Sequence, residues 1–167
     1  MIITLVLVGM YSKIEAKDLK NFYKVSNEIY RSAQPDKEEM RMAEKMGVKT
    51  VLSLRNYNDD KDEAKGTGLI LKRVKMNAGD INDKEIILAM RIIKESEKPI
   101  LVHCLHGSDR TGAVIAMYRI IFEGVSKEKA IEEMKEKKYG HHGKIFGNIE
   151  EYIIKSDINK LKEEIEK

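Results

Sequence analysis

The stretch HCLHGSDRTG brings together a thiol at Cys104, a guanidinium at Arg110, a hydroxyl at Thr111, a carboxylate at Asp109 and two glycines, Gly107 and Gly112. Cys104 is the chain's single cysteine, which excludes an intramolecular disulfide and leaves no second thiol to resolve an oxidised one. It is therefore either a small buried hydrophobe or a nucleophile.

Its surroundings favour the nucleophile. The apolar run PILVH before it reads as a strand and the segment from Arg110 onward as a helix, so LHGSD is a tight strand-to-helix turn. Inward-pointing amides of Leu105, His106, Gly107, Ser108 and Asp109, backed by the positive end of a helix dipole, form an anion cradle. Gly107 suits a backbone conformation that a side chain would obstruct, Gly112 lets the helix pack closely on the sheet, and Arg110 offers a planar fork for two phosphate oxygens. The field that attracts phosphate also favours a thiolate. Cysteines at helix amino ends beside a cation titrate at about 3.5–7.5 instead of ~8.5. Thr111 can donate to the sulfur when it leaves. The chemistry this predicts is phosphoryl transfer to sulfur and then to water.

Elements must hold these groups in place. NFYKVSNEIYRSAQP reads as an antiparallel pair of short strands, and DKEEMRMAEKMG as a helix capped by Asp36 and stopped at Gly47. VKTVLSLR and LILKRVKM read as strands on either side of the charged loop NYNDDKDEAKGTG. DKEIILAMRIIKES reads as a helix capped by Asn82 or Asp83 and leading to PILVH. Three helices follow: RTGAVIAMYRIIFEG, with Val114, Met117, Ile120 and Ile121 on one face; SKEKAIEEMKEKKYG, capped by Ser126 and closed at Gly140; and FGNIEEYIIKSDINKLKEEIEK. Strands alternating with helices imply an α/β fold, a central mostly parallel sheet flanked by helices, with ligands bound at the strands' carboxyl ends, where Cys104 falls.

The motif resembles the active-site loop of the cysteine-dependent protein tyrosine phosphatase superfamily: His103, Cys104, Gly107, Arg110, Thr111 and Gly112 fall on its pattern. IYRSAQP, GVKTVLSLR and YGHHGKIFGNIEEYI extend the similarity to the compact bacterial dual-specificity-like phosphatases, over roughly residues 21–154. The resemblance implies that fold, a single phosphatase domain over residues 17–167 and hydrolysis of phosphate monoesters, phosphotyrosine and also phosphoserine or phosphothreonine, through a thiophosphoryl intermediate. The partner is a phosphorylated protein or small molecule. No metal or cofactor is expected. Asp109 departs from the small residue of many tyrosine phosphatases toward the DRT of several phosphoinositide enzymes, which keeps a phosphoinositide or inositol phosphate substrate as an alternative.

A leaving alkoxide or phenolate needs a proton. Asp80, beside Gly79 in MNAGDINDKE, is the candidate acid; Asp83 competes but suits a capping role, and Asp109 is a third option. His103 either stiffens the loop by bonding the Cys104 backbone or is a satisfied core histidine. His106 sits in the cradle facing outward, to touch substrate or merely water; His141 and His142 read as a surface pair near the site; and Arg31 reads as structural ahead of a role in binding an anion.

Composition sets outer bounds. With 167 residues, 42% hydrophobic and 35% charged, the chain suits one globular domain. Its net charge of +3 comes with Lys and Glu interleaved as on solvated helix faces. Nothing resembles a nucleic-acid-binding motif. The apolar run Ile2–Met10 is too short to span a bilayer. For residues 1–16 two readings are open: a secretory signal cleaved after Ala16, giving a periplasmic or secreted protein, or an apolar N-terminal segment of a cytoplasmic one. A monomer is expected. A rhodanese-type sulfurtransferase is disfavoured by GSDRTG, an arsenate reductase by the lack of further cysteines, and a non-catalytic phosphate-binding module by the retained thiol.

Overall fold

The computed structural model describes residues 19–167; the two readings of the amino terminus fall outside them. Five strands, β1 (Tyr23–Lys24), β2 (Ile29–Ser32), β3 (Thr50–Ser53), β4 (Ile70–Arg73) and β5 (Ile100–His103), form one sheet in the order β1-β2-β5-β3-β4. Only β1 runs antiparallel. The chain alternates as its sequence predicts, and the last strand inserts between β2 and β3. Ile100 lies opposite both Ile29 and Thr50, and His103 opposite both Ser32 and Ser53.

Strand periodicity sorts side chains onto two faces. Val51 and Leu101 turn to α1 (Lys37–Lys45), where Met40, Ala43 and Val48 complete a small core. Ile29, Leu52, Ile100 and Val102 face a larger core built by α2 (Asp83–Glu95), α3 (Asp109–Glu123), α4 (Lys127–Met134), α5 (Gly147–Lys155) and α6 (Ile158–Glu166). Helices thus flank both faces, unequally. Asp36 caps α1 with a full capping box: it accepts from Glu38 and Glu39 N–H while Glu39 Oε2 reaches back to the Asp36 N–H at 2.7 Å. Asn82 caps α2, accepting from Glu85 N–H at 3.2 Å. Asp83 is not the cap; it opens the helix and accepts from the Tyr152 hydroxyl at 2.9 Å.

Three helical expectations need correction. α3 is buried on nearly all sides from Thr111 to Met117, because α4, α5, α6 and α2 surround it; a single apolar face understates its surroundings. α4 stops at Met134, its last core-facing residue, and a 3-10 turn over Lys137–Tyr139 carries the chain to Gly140. FGNIEEYIIKSDINKLKEEIEK is two helices, broken where Asp157 leaves helical geometry and caps α6 by accepting from Lys160 N–H at 3.1 Å.

Candidate active site

β5 ends at His103, and Cys104 emerges between the carboxyl ends of β2 and β3. The thiol is buried, and Sγ accepts the Gly107 N–H at 3.3 Å. Among the described residues no acceptor meets the main-chain N–H groups of Leu105, His106, Ser108, Asp109 or Arg110, so the turn presents a ring of free donors at the amino end of α3. Ser108, at the cap position, makes no side-chain cap hydrogen bond. The donors stay available to an anion.

The turn is braced from below. Gly107 has φ +72° and its Cα faces the end of β2, where a Cβ would come within 2.5 Å of the Ser32 carbonyl. Its own carbonyl accepts from Arg31 Nη2 at 2.8 Å, and Leu105 O accepts from Gln34 N–H at 3.2 Å. Arg31 is fully buried and lies over the Tyr139 ring, 4.0 Å from its centroid. Burial lowers its pKa from the ordinary value, opposed by the electrons of Tyr139 and Cys104. Its structural role is evident. Gly112 serves a different neighbour than the sheet: a Cβ there would meet Met134 Cγ of α4 at 2.9 Å.

Arg110 Nη1 donates to Leu54 O at 3.2 Å and Met76 O at 3.4 Å, just beyond β3 and β4, which aims the rest of the fork at the cradle. Thr111 is fully buried, and its hydroxyl has no hydrogen-bond partner among the described residues, Cys104 Sγ included.

His103 serves both anticipated purposes. Nδ1 meets Cys104 O at 3.2 Å, and Nε2 meets Asp60 Oδ2 at 2.7 Å, all buried. The carboxylate can only accept, so Nε2 donates to Asp60, and Nδ1 faces the Cys104 carbonyl. Burial works to raise the Asp60 pKa, yet the bonds from His103 and Gln34 win and hold it below its ordinary value. Gln34 Nε2 reaches Asp60 Oδ1 at 2.8 Å while its oxygen accepts from Arg55 at 2.9 Å. The sequence reads Asp60 only as one residue of the charged loop NYNDDKDEAKGTG. The only sign that could have singled it out is position: it lies among acidic neighbours in the loop following the strand beside β5.

The expected surface pair His141–His142 closes over Asp109. His142 donates its main-chain N–H to Oδ1 at 2.9 Å and contacts Oδ2 through Nδ1 at 2.8 Å; His141 Nδ1 lies 2.9 Å from Oδ1, off the hydrogen-bond line. The His141 side chain is 3% exposed. Burial pushes the Asp109 carboxyl up, but these contacts more than offset it and hold it at about 2. Held this way, the Asp109 carboxyl is an acceptor for His142, an arrangement that suits anchoring that residue better than donating a proton to a leaving group.

A cavity of about 270 Å³ opens above the thiol. Cys104 and Asp109 are its buried floor, Ala78, Arg110 and Phe146 its half-buried walls, and Leu105, Ile145, His106 and His142 line its solvent-exposed mouth. The His106 and His142 rings stand 6.0 Å apart, edge to face. Asp80 is exposed, on the turn after Ala78, and does not line this cavity. Among the described residues no cluster of His, Cys, Asp and Glu is arranged to hold a metal, and no helix is long and apolar enough to cross a membrane.

Known proteins share this fold and much of this sequence. The dual specificity protein phosphatase TpbA of Pseudomonas aeruginosa is 31% identical over 144 residues, covering 85% of this chain; the chain spans 65% of that relative's length. A crystal structure of TpbA superposes with a TM-score of 0.80 at 30% identity, covering 89% of this chain and 92% of that one. The core catalytic domain of the PP-IP phosphatase Siw14 of S. cerevisiae, in complex with citrate, gives a TM-score of 0.73 at 27% identity, covering 87% and 90%. Residues 18–165 match the model of the tyrosine phosphatase family. With that match spanning the strand-to-helix turn, its braces and the wall of the cavity, the chain belongs to the tyrosine phosphatase family.

Proposed function

We propose that the protein is a cysteine-dependent phosphatase that hydrolyses phosphate monoesters. The observation that carries this is a buried thiol at the floor of a ring of unsatisfied main-chain N–H groups, with Arg110 beside it. The amides of Leu105 to Arg110 and the Arg110 fork hold the phosphoryl oxygens. Cys104 Sγ attacks phosphorus and the ester P–O bond breaks; water then attacks the thiophosphoryl group and the P–S bond breaks, releasing orthophosphate. The unpartnered Thr111 hydroxyl is free to rotate toward the sulfur as it leaves. Asp80 supplies the leaving-group proton by movement of the 77–82 turn over the mouth, where Ala78 already forms part of the wall.

The apolar side chains of Leu105, Ile145, Phe146 and Ala78 suit a flat aryl ring, and the lining holds no lysine. Phosphotyrosine is therefore the first substrate class, ahead of phosphoserine, phosphothreonine and the more highly charged inositol phosphates. A solved structure of a TpbA cysteine-to-serine variant contains pTyr. The test is turnover of p-nitrophenyl phosphate in EDTA by the wild type and Cys104→Ser. Activity that survives chelation and disappears in the variant supports the thiolate mechanism; orthovanadate binding with no turnover leaves a phosphate-recognition module.

A further inference from the structure

We infer that His142, held by Asp109, is the base that activates water in the second half of the reaction. The inference rests on the phosphatase reading above and concerns hydrolysis of the thiophosphoryl enzyme.

Three observations carry it. First, His142 stands at the mouth of the cavity that has Cys104 at its floor. Water must approach phosphorus from the side opposite the sulfur, which is the direction of that mouth. Second, Asp109 captures residue 142 twice, through the main-chain N–H at 2.9 Å and Nδ1 at 2.8 Å, so the ring is fixed to the first turn of α3, next to Arg110. Third, an ionised carboxylate is only an acceptor, so Nδ1 must carry the proton. In the neutral ring this leaves the lone pair on Nε2, at the edge turned away from Asp109. His142 is 47% exposed at its side chain, enough for water to reach it. His141, nearly buried on the other side of Asp109, has no such access.

The step balances without a co-reactant. Nε2 takes a proton from water as its oxygen bonds phosphorus; the P–S bond breaks and its electron pair returns to Sγ, to which the Gly107 N–H donates. Orthophosphate departs, and the imidazolium proton returns to solvent.

The experiment follows p-nitrophenyl phosphate through the first and later turnovers, with intact-protein mass measured during the steady state. His142→Asn keeps an amide N–H for Asp109 and removes the base. The variant is expected to release its first equivalent of nitrophenol near the wild-type rate, accumulate a phosphorylated Cys104 and fall at least about a hundredfold in steady turnover. Wild-type steady turnover, or loss of the first equivalent while orthovanadate still binds, overturns the inference. His142→Ala with added imidazole covers distortion by asparagine: dephosphorylation accelerated by imidazole supports the base, and an unmoved rate overturns it. Failure of the wild type to release nitrophenol is a separate result, which sinks the phosphatase reading itself.

Discussion

Gly107→Ala separates two costs that the turn places on one atom. The backbone there has φ +72°, which costs an L-residue about 1–2 kcal/mol. The added Cβ would also come within 2.5 Å of Ser32 C and O and 2.6 Å of Ala33 N. These are main-chain atoms at the end of β2, so no side chain can swing aside, and forced accommodation of this kind costs about 1–3 kcal/mol more. The total is about 2–5 kcal/mol, a large share of the 5–15 kcal/mol that holds a typical domain folded. Gly124→Ala is the control: φ is +68° with nothing within 4 Å of its Cβ, so it carries the conformational cost alone. The entropy lost from the unfolded chain is common to both substitutions and cancels in their difference. Urea unfolding followed by circular dichroism should therefore place Gly107→Ala below Gly124→Ala by about 1–3 kcal/mol, with orthovanadate binding lost only in the former. Equal destabilisation of the two variants would refute the close approach of the turn to β2.

Asp60→Ala leaves the buried His103 Nε2 without its acceptor and should cost about 1–3 kcal/mol in urea unfolding, against a smaller loss for Asp60→Asn, which keeps an acceptor for Nε2. Asp80→Asn should slow hydrolysis of alkyl phosphates about 10²–10⁴-fold while sparing p-nitrophenyl phosphate, whose leaving group needs little protonation; equal effects on both substrates argue against Asp80 as the acid. The Asp109 carboxyl titrates at about 2 in the fold against an ordinary 3.8, so its contacts contribute stability that is fully present above about pH 4 and is lost as pH falls toward 2. Unfolding midpoints of wild type minus Asp109→Asn should shrink through that window, and a difference independent of pH contradicts the pairing.

The sequence was most informative where chemistry and local structure share the same few residues. HCLHGSDRTG reports its own turn because Gly107, Arg110 and the adjoining strand and helix are contiguous. Asp36 and Ser126 likewise announce helix starts through bonds only a few residues long. What stayed hidden depends on contacts across long separations. Asp60 meets His103 across 43 positions and Asp109 meets His142 across 33, and neither pair has a spacing that periodicity can detect. An aspartate among aspartates and a histidine among glycines look solvent-bound until the sheet order brings them under and over the thiol. Asp80 is legible as a turn residue, through local bonds from Gly79 N–H to Asn77 Oδ1 and from Asp80 N–H to Asn77 O, but where that turn sits beside the cavity depends on a distant contact, Asn148 Nδ2 donating to Ala78 O at 2.8 Å.

The insertion of β5 between β2 and β3 also bears on how the chain assembles. Those two strands follow each other in sequence but never pair; on its facing edge each pairs in parallel with a segment that arrives about fifty to seventy positions later. A growing or truncated chain that stops short of Ile100 therefore holds two bare strand edges around an apolar slot, a template for pairing with another molecule. Loop-closure entropy must be met before that slot is filled. The strand that fills it leads directly into Cys104, so closing the sheet and seating the thiol beneath the free amides of the turn are one event.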